Sequence, residues 1–314
     1  MNPPRVPCAL ILGYHSIQHQ PELWADTIGL GITHAASAFA RQMELLAREY
    51  SPVSLHEIVH FLKEELPLPR NAVAVTFDDG YCDNVDIAAP VLARYGIPAA
   101  FFLTTRLIST PQVPWFSRMR HAFARTRKKE WVEPKRGREW SLTGSRRRKM
   151  ALQVAFEIGS SLAGDECQEL LQTIERDLDV APPALQASMM LTWDQARALR
   201  DAGHIIGSHT CTHPNLAHVA TEDFIRAELF QSKWQIEREL KAAPRHFSYP
   251  HPALNPQWTP QTVALTQEAG YETAVTTTPG GAFPGENPLL LPRIMAPKRV
   301  EDLRWELQRA FHGG

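Results

Sequence analysis

The chain has 314 residues, 44% hydrophobic and 21% charged, a globular composition with room for one large α/β barrel or two ordinary domains. Thirty-three Lys and Arg against 34 Asp and Glu leave a net charge of -1, so the overall balance offers no sign of a nucleic-acid partner. No stretch approaches the roughly 20 apolar residues of a membrane helix, and residues 1–12 lack the cleavage region of a secretory signal. The four cysteines (Cys8, Cys82, Cys167, Cys211) lack the spacing of a disulfide framework or zinc knuckle, so free thiols in a cytoplasmic protein are expected.

In chain order, residues 9–14 (ALILGY) form a short continuous apolar run that reads as a strand. Residues 37–50 follow as an amphipathic helix, with Phe39, Met43, Leu46 and Ala47 on one face, and 54–65 as a second helix stopped by Pro67 and Pro69. Residues 72–77 (AVAVTF) are a buried strand running into Asp78-Asp79-Gly80. Residues 85–95 are helical and end at Gly96. Residues 98–104 form another strand. Thr192 opens a helix with Gln195 three residues on, a capping box, and the helix ends at Gly203. Strands are then expected at 204–208, 246–249, 272–277 and 289–294, with helices near 221–240, 259–269 and 300–311. About seven strand-helix units favour a (β/α) barrel or a distorted relative over an open sheet.

Residues 110–190 break that rhythm. They show helical stretches and no strand, and 118–149 hold thirteen Lys or Arg against three acidic residues, Glu130, Glu133 and Glu139. The segment reads as a basic, mostly helical insertion or cap on a single domain spanning 1–314. A solvated surface explains such charge; the functional alternative is a face for an anionic ligand.

Three constellations carry chemistry. In Thr76-Phe77-Asp78-Asp79-Gly80-Tyr81, two adjacent carboxylates follow an apolar strand, where barrel enzymes place catalytic groups. Side chains diverge on extended backbone, so one aspartate can bind a metal while the other faces substrate; an isolated Asp-Asp-Gly is otherwise a common turn. In His209-Thr210-Cys211-Thr212-His213, two imidazoles four residues apart can meet at one ion, although this spacing alone is weak. An extended or turned backbone points Cys211 away. The third, 246–252, ends a strand in Tyr249-Pro250-His251-Pro252, where few N–H groups remain and a free one can serve a developing oxyanion.

Together these segments resemble the polysaccharide deacetylases of the NodB-homology type (carbohydrate esterase family 4). TFDDGY and SHTCTH match that family's first two motifs. Gly13-Tyr14-His15, 247–250, Ala274-Val275-Thr276-Thr277 and Leu291-Pro292-Arg293-Ile294 resemble its subgroup with an N-terminal Tyr-His pair. The resemblance runs from about residue 9 to 300 and is least diagnostic over 110–190. It implies a distorted (β/α)7 barrel that hydrolyses an N-acetyl amide, with Asp78 as general base and Asp79, His209 and His213 as metal ligands. Zn²⁺ is expected, with Co²⁺ or Ni²⁺ able to use the same nitrogen and oxygen donors. Three protein ligands leave a position for water, whose pKa the metal brings towards ~7.

Two features of the best-known members are missing. Ser248 stands where an Arg steadies their base, with His251 in place of the aromatic residue after the proline, and no late strand ends in a catalytic His. Arg293 is expected to pair with Asp78 instead. His15, or failing that His251, is expected to be the acid, while Tyr249, Pro250 and His251 form the substrate and oxyanion turn. The expected partner is an N-acetylated glycan, with hydrolysis of a small amide or O-acetyl ester, or glycan binding without turnover, as alternatives; no nucleic acid is expected.

Overall fold

The computed structural model describes residues 8–162, 164–184, 189–250 and 253–312. Seven strands, Ala9–Tyr14, Ala72–Phe77, Ala99–Leu103, Ile205–Ser208, His246–Ser248, Thr273–Val275 and Ile294–Met295, lie side by side in chain order, all parallel. The last strand pairs with the first (Leu12 opposite Ile294). Just before it, the Leu291 N–H donates to Ala274 O at 2.9 Å, and its carbonyl accepts from the Thr276 N–H at 2.9 Å. This segment thereby bonds both edges of the sheet, and the sheet curls into the expected distorted seven-stranded barrel, with helices outside.

Period-two alternation sorts the strand side chains. Leu10, Leu12, Tyr14, Val73, Val75, Phe77, Phe101 and Leu103 pack outward, against Phe39, Met43 and Leu46 of the Ala36–Glu49 helix and Leu303 and Leu307 of the Val300–His312 helix. Ala9, Ile11, Ala72, Ala74, Ala100, Phe102, Ile205 and Val275 face the interior, where Ile58, Phe61 and Leu62 of the Leu55–Leu62 helix join them. Both strand faces are covered, which is why these strands read as unbroken apolar runs. Phe102 lies beside its register partner Gly207 on the neighbouring strand, where a Cβ would sit 2.5 Å from its ring.

The expected capping box forms at Thr192, a second one forms at Ser54, and Gly96 ends its helix at φ 64°. Two expectations need correction. Residues 289–294 are not one strand: Pro288–Leu290 is a 3₁₀ turn and only Ile294–Met295 is a regular strand, because Pro292 cannot donate to the ladder. Residues 110–190 also contain strands. Between the Trp115–Arg125 and Ser145–Ser160 helices, Glu130–Val132 and Glu139–Ser141 form an antiparallel hairpin with Trp131 opposite Trp140. With the Asp165–Asp177 helix, the segment builds its own core from Trp115, Met119, Phe123, Trp131, Leu171 and Ile174, joined by Tyr81 and Met190. Among the described residues, no helix is long and apolar enough to cross a membrane.

Two histidines, His34 and His246, are buried in neutral form. Burial, reinforced by Lys298, brings His34 down to about 4, and burial beside His56 and Arg245 brings His246 down to about 3. The unfolded chain binds protons at these groups near pH 6.5 and the folded chain does not, so folding stability falls as pH drops from about 6.5 towards 4. Urea unfolding should lose on the order of 2 kcal/mol per histidine between pH 7 and 5, and His246→Asn should reduce the slope. A stability that stays flat over this window would contradict the burial of both groups as neutral imidazoles.

Candidate active site

Asp78 continues the inward register of Ala72, Ala74 and Thr76, and its N–H donates to Tyr14 O at 2.9 Å. Its carboxylate meets the Arg293 guanidinium in a two-pronged pair: Nη1 donates to Oδ1 at 2.8 Å and Nη2 to Oδ2 at 2.7 Å. Arg293 has no exposed surface, and its other donors are also used, Nε on Thr276 O (2.9 Å), Nη1 on Thr76 Oγ1 (3.2 Å) and Nη2 on Ser248 Oγ (3.1 Å). All five guanidinium N–H groups therefore have acceptors. Burial alone would raise the Asp78 pKa, but the adjacent Arg293 charge, with His209, outweighs it and holds the carboxyl well below the usual carboxylate range. Gly13 leaves room for this arrangement: a Cβ there would lie 2.7 Å from Met295 Sδ and 3.7 Å from Arg293 Cζ.

Asp79 leaves the strand register. Its backbone is left-handed, φ 73°, which turns its carboxylate away from that of Asp78. His209 follows the Ile205–Ser208 strand, and its Nδ1 lies 2.7 Å from Ser248 O. A carbonyl only accepts, so Nδ1 carries the proton and Nε2, 3.5 Å from Asp79 Oδ1, keeps a lone pair that can ligate a cation but cannot bond the carboxylate. The loop then folds back through left-handed Thr210 and His213, φ 67° and 65°. Thr210 Oγ1 accepts from the His213 N–H at 3.0 Å, and His213 Nε2 comes to 3.3 Å from the same Asp79 oxygen.

The ligand atoms of Asp79, His209 and His213 all lie within 4.8 Å of one another, and all three residues are buried. Donors roughly 2.1 Å from a tetrahedral ion sit about 3.4 Å apart, close to the two separations found. Among the described residues, Asp79 Oδ1 and His213 Nδ1 are buried without a hydrogen-bond partner, and a buried carboxylate oxygen between two imidazoles fits a cation. Burial brings His209 down to about 4, leaving it neutral and able to coordinate near pH 7. Cys211 points elsewhere, its Sγ 3.8 Å from Glu228 O.

His15 stands half-buried beyond the first strand, its carbonyl accepting from Asn84 Nδ2 at 2.8 Å. Burial lowers its pKa against the opposing pull of Asp79 and Asp78, while Arg293 and His213 lower it further, so all four groups act on its imidazole. The oxyanion turn is only partly as expected. Tyr249 has no free N–H, because it donates to Val275 O at 3.2 Å, and its ring is packed against Phe247 in the core. Pro250 has no N–H to offer. His251 and Pro252 lie outside the described residues. The sequence shows Ser248 only as a missing arginine; here its hydroxyl accepts from the replacement arginine, which stands just before the closing strand.

The insertion touches the same loop. Trp115 Nε1 donates to Thr212 O at 3.1 Å, and the Phe116 ring centroid is 5.0 Å from that of His213.

Removing Arg293 while leaving Asp78 strands a buried charge. Arg293→Met should cost roughly 3–5 kcal/mol in urea unfolding, and adding Asp78→Asn should recover part of that loss. Equal stability of Arg293→Met and wild type would contradict the paired, desolvated geometry.

The family model for polysaccharide deacetylase matches residues 65–274, a span that includes Asp78, Asp79, His209 and His213 but not His15 or Arg293. No curated protein gives a significant match. Among solved structures, the chain is similar to the Streptococcus pyogenes deacetylase PplD in complex with acetate (20% identity, TM-score 0.63, covering 96% of this chain and 99% of the other). It is also similar to IcaB from Ammonifex degensii (17%, 0.61, 96% and 97%) and to a de-N-acetylase from Aggregatibacter actinomycetemcomitans (15%, 0.61, 96% and 100%). At these identities the likeness is one of fold.

Proposed function

The chain belongs to the polysaccharide deacetylase family, and from that footing we propose that it is a metal-dependent hydrolase removing N-acetyl groups from a carbohydrate. The observation that carries this reading is the division between two neighbouring aspartates: Asp79 joins His209 and His213, while Asp78 is held apart by Arg293. Metal binding alone has no need of the second carboxylate, which argues against a barrel that only binds glycans.

In this reading Asp79, His209 and His213 hold a divalent cation, Zn²⁺ by preference and Co²⁺ or Ni²⁺ as alternatives, which supplies Lewis acidity to the water and the carbonyl oxygen. Asp78 takes a proton from the water as it attacks the carbonyl carbon, and Arg293 fixes the carboxylate in its ionised form and orientation. The carbon–nitrogen bond breaks as His15 delivers a proton to the leaving amine, and acetate is the second product. Burial lowers the His15 pKa overall, which makes its imidazolium a ready proton donor, and negative charge at Asp79 and Asp78 opposes that loss of charge. The oxyanion donor expected at His251 falls outside the described residues and belongs to this reading on the family resemblance alone.

Residues 110–190 are read as a cap on this single domain, because Trp115 and Phe116 reach the His213 loop. Lys128, Lys129, Lys135, Arg136, Arg146, Arg147 and Lys149 are exposed on that cap and suit an anionic ligand; binding that weakens steeply with salt is the expected sign. Ser248 in place of the expected arginine favours a second reading, hydrolysis of a small amide or O-acetyl ester on the same centre.

The test is metal analysis together with acetate release from a panel of N-acetylated sugars and oligomers. Asp78→Asn and His15→Ala should each lower kcat about 10²- to 10⁴-fold with bound metal retained. Acetate release by the metal-stripped protein would refute the mechanism, and full activity of His15→Ala would remove the acid role from that residue. No release from any sugar would move the weight to the small-amide reading.

A further inference from the structure

We propose that Glu228 is the positioning residue of the metal-ligand loop: its buried carboxylate fills a nest of backbone N–H groups between His209 and His213 and thereby sets the affinity of the centre. This rests on the reading of Asp79, His209 and His213 as metal ligands. Glu228 sits on the Glu222–Leu240 helix and is only 5% exposed. Its Oε2 accepts from the Cys211 N–H at 2.7 Å and the Thr212 N–H at 2.9 Å, and its Oε1 accepts from Thr212 Oγ1 at 2.5 Å. One turn further along, Ser232 Oγ accepts from Ser208 Oγ at 2.8 Å, fixing the same helix to the strand that delivers His209.

The loop needs such a hold. Thr210 and His213 both adopt left-handed backbone, at φ 67° and 65°. For residues with a side chain that conformation costs energy and persists only where surrounding contacts impose it. Consecutive N–H groups beside a left-handed residue converge into an anion-binding concavity, and here a side chain of the same chain occupies it. Glu228 contacts neither imidazole. It acts on the two residues that separate the histidines, and so on the distance between their Nε2 atoms and Asp79. Outer-shell partners of this kind commonly change metal affinity 10- to 100-fold when removed.

The test uses the full chain stripped of metal and titrated with Zn²⁺ against a chromophoric chelator, comparing wild type, Glu228→Gln and Thr212→Val. Glutamine keeps the volume but sets an NH₂ group among N–H donors, and Thr212→Val removes one of the three bonds. Zn²⁺ affinity should fall about 10- to 100-fold in Glu228→Gln and by a smaller factor in Thr212→Val. In the metal-free chains, the Cys211 and Thr212 amides should exchange with deuterium faster in Glu228→Gln than in wild type. A folded Glu228→Gln with wild-type Zn²⁺ affinity, or with unchanged exchange at both amides, overturns the proposal. If Glu228→Gln does not fold, Thr212→Val decides it, and wild-type affinity there overturns it. A wild-type chain that binds no Zn²⁺, Co²⁺ or Ni²⁺ instead counts against the metal centre itself, and the exchange rates still test the hold of Glu228 on the loop.

Discussion

The buried pair between Asp78 and Arg293 is the constraint on which the rest of the site depends. Taking both charges out of water costs several kcal/mol per ion, and their attraction offsets this only when the geometry is close and every remaining donor is satisfied. Thr76, Ser248 and Thr276 meet that condition from three other strand ends, so the pair draws the closing segment of the barrel onto its second, fifth and sixth strands. The same contact that completes the barrel interior keeps Asp78 ionised and apart from the cluster of Asp79, His209 and His213.

The backbone sends adjacent aspartates to different partners. Asp78 keeps the pleat of its strand, and its direction follows from Ala72, Ala74 and Thr76. Asp79 breaks the pleat at φ 73° and turns to His209 and His213. The left-handed residues Asp79, Thr210 and His213 all lie at this centre, where hydrogen bonds to Ser248 O, Thr210 Oγ1 and Glu228 Oε2 hold an arrangement that local propensity disfavours. Local conflict of this kind is what a functional site imposes on an otherwise consistent fold.

Much of this was legible in the residues. Unbroken apolar runs located the Ala9–Tyr14 and Ala72–Phe77 strands to the residue, since burial on both faces demands such runs. The DDG and HTCTH segments pointed to Asp79, His209 and His213, which the fold brings together, because each segment follows such a strand. Pairing of Arg293 with Asp78 could be anticipated only from the gap at Ser248, as the contact joins residues 215 apart in sequence. Other features depend on register. Whether Tyr249 has a free N–H is decided by its pairing with Val275, which no local pattern reveals. The hairpin at Trp131 and Trp140 was hidden because its alternation is set in charged residues, leaving one aromatic per strand as the signal. Glu228 was legible in hindsight: it shares the inward stripe of Ile225, Leu229, Ser232 and Ile236, where an acid without a purpose is costly.

The central claim, that one aspartate binds metal while its neighbour is kept free by arginine, is most directly tested by a crystal structure of the Zn²⁺-loaded protein. The account predicts Zn²⁺ bound by His209 Nε2, His213 Nε2 and an Asp79 carboxylate oxygen at roughly 2.0–2.2 Å, with Asp78 still paired to Arg293. An ion coordinated by Asp78, or an Asp78 released from Arg293, would contradict it.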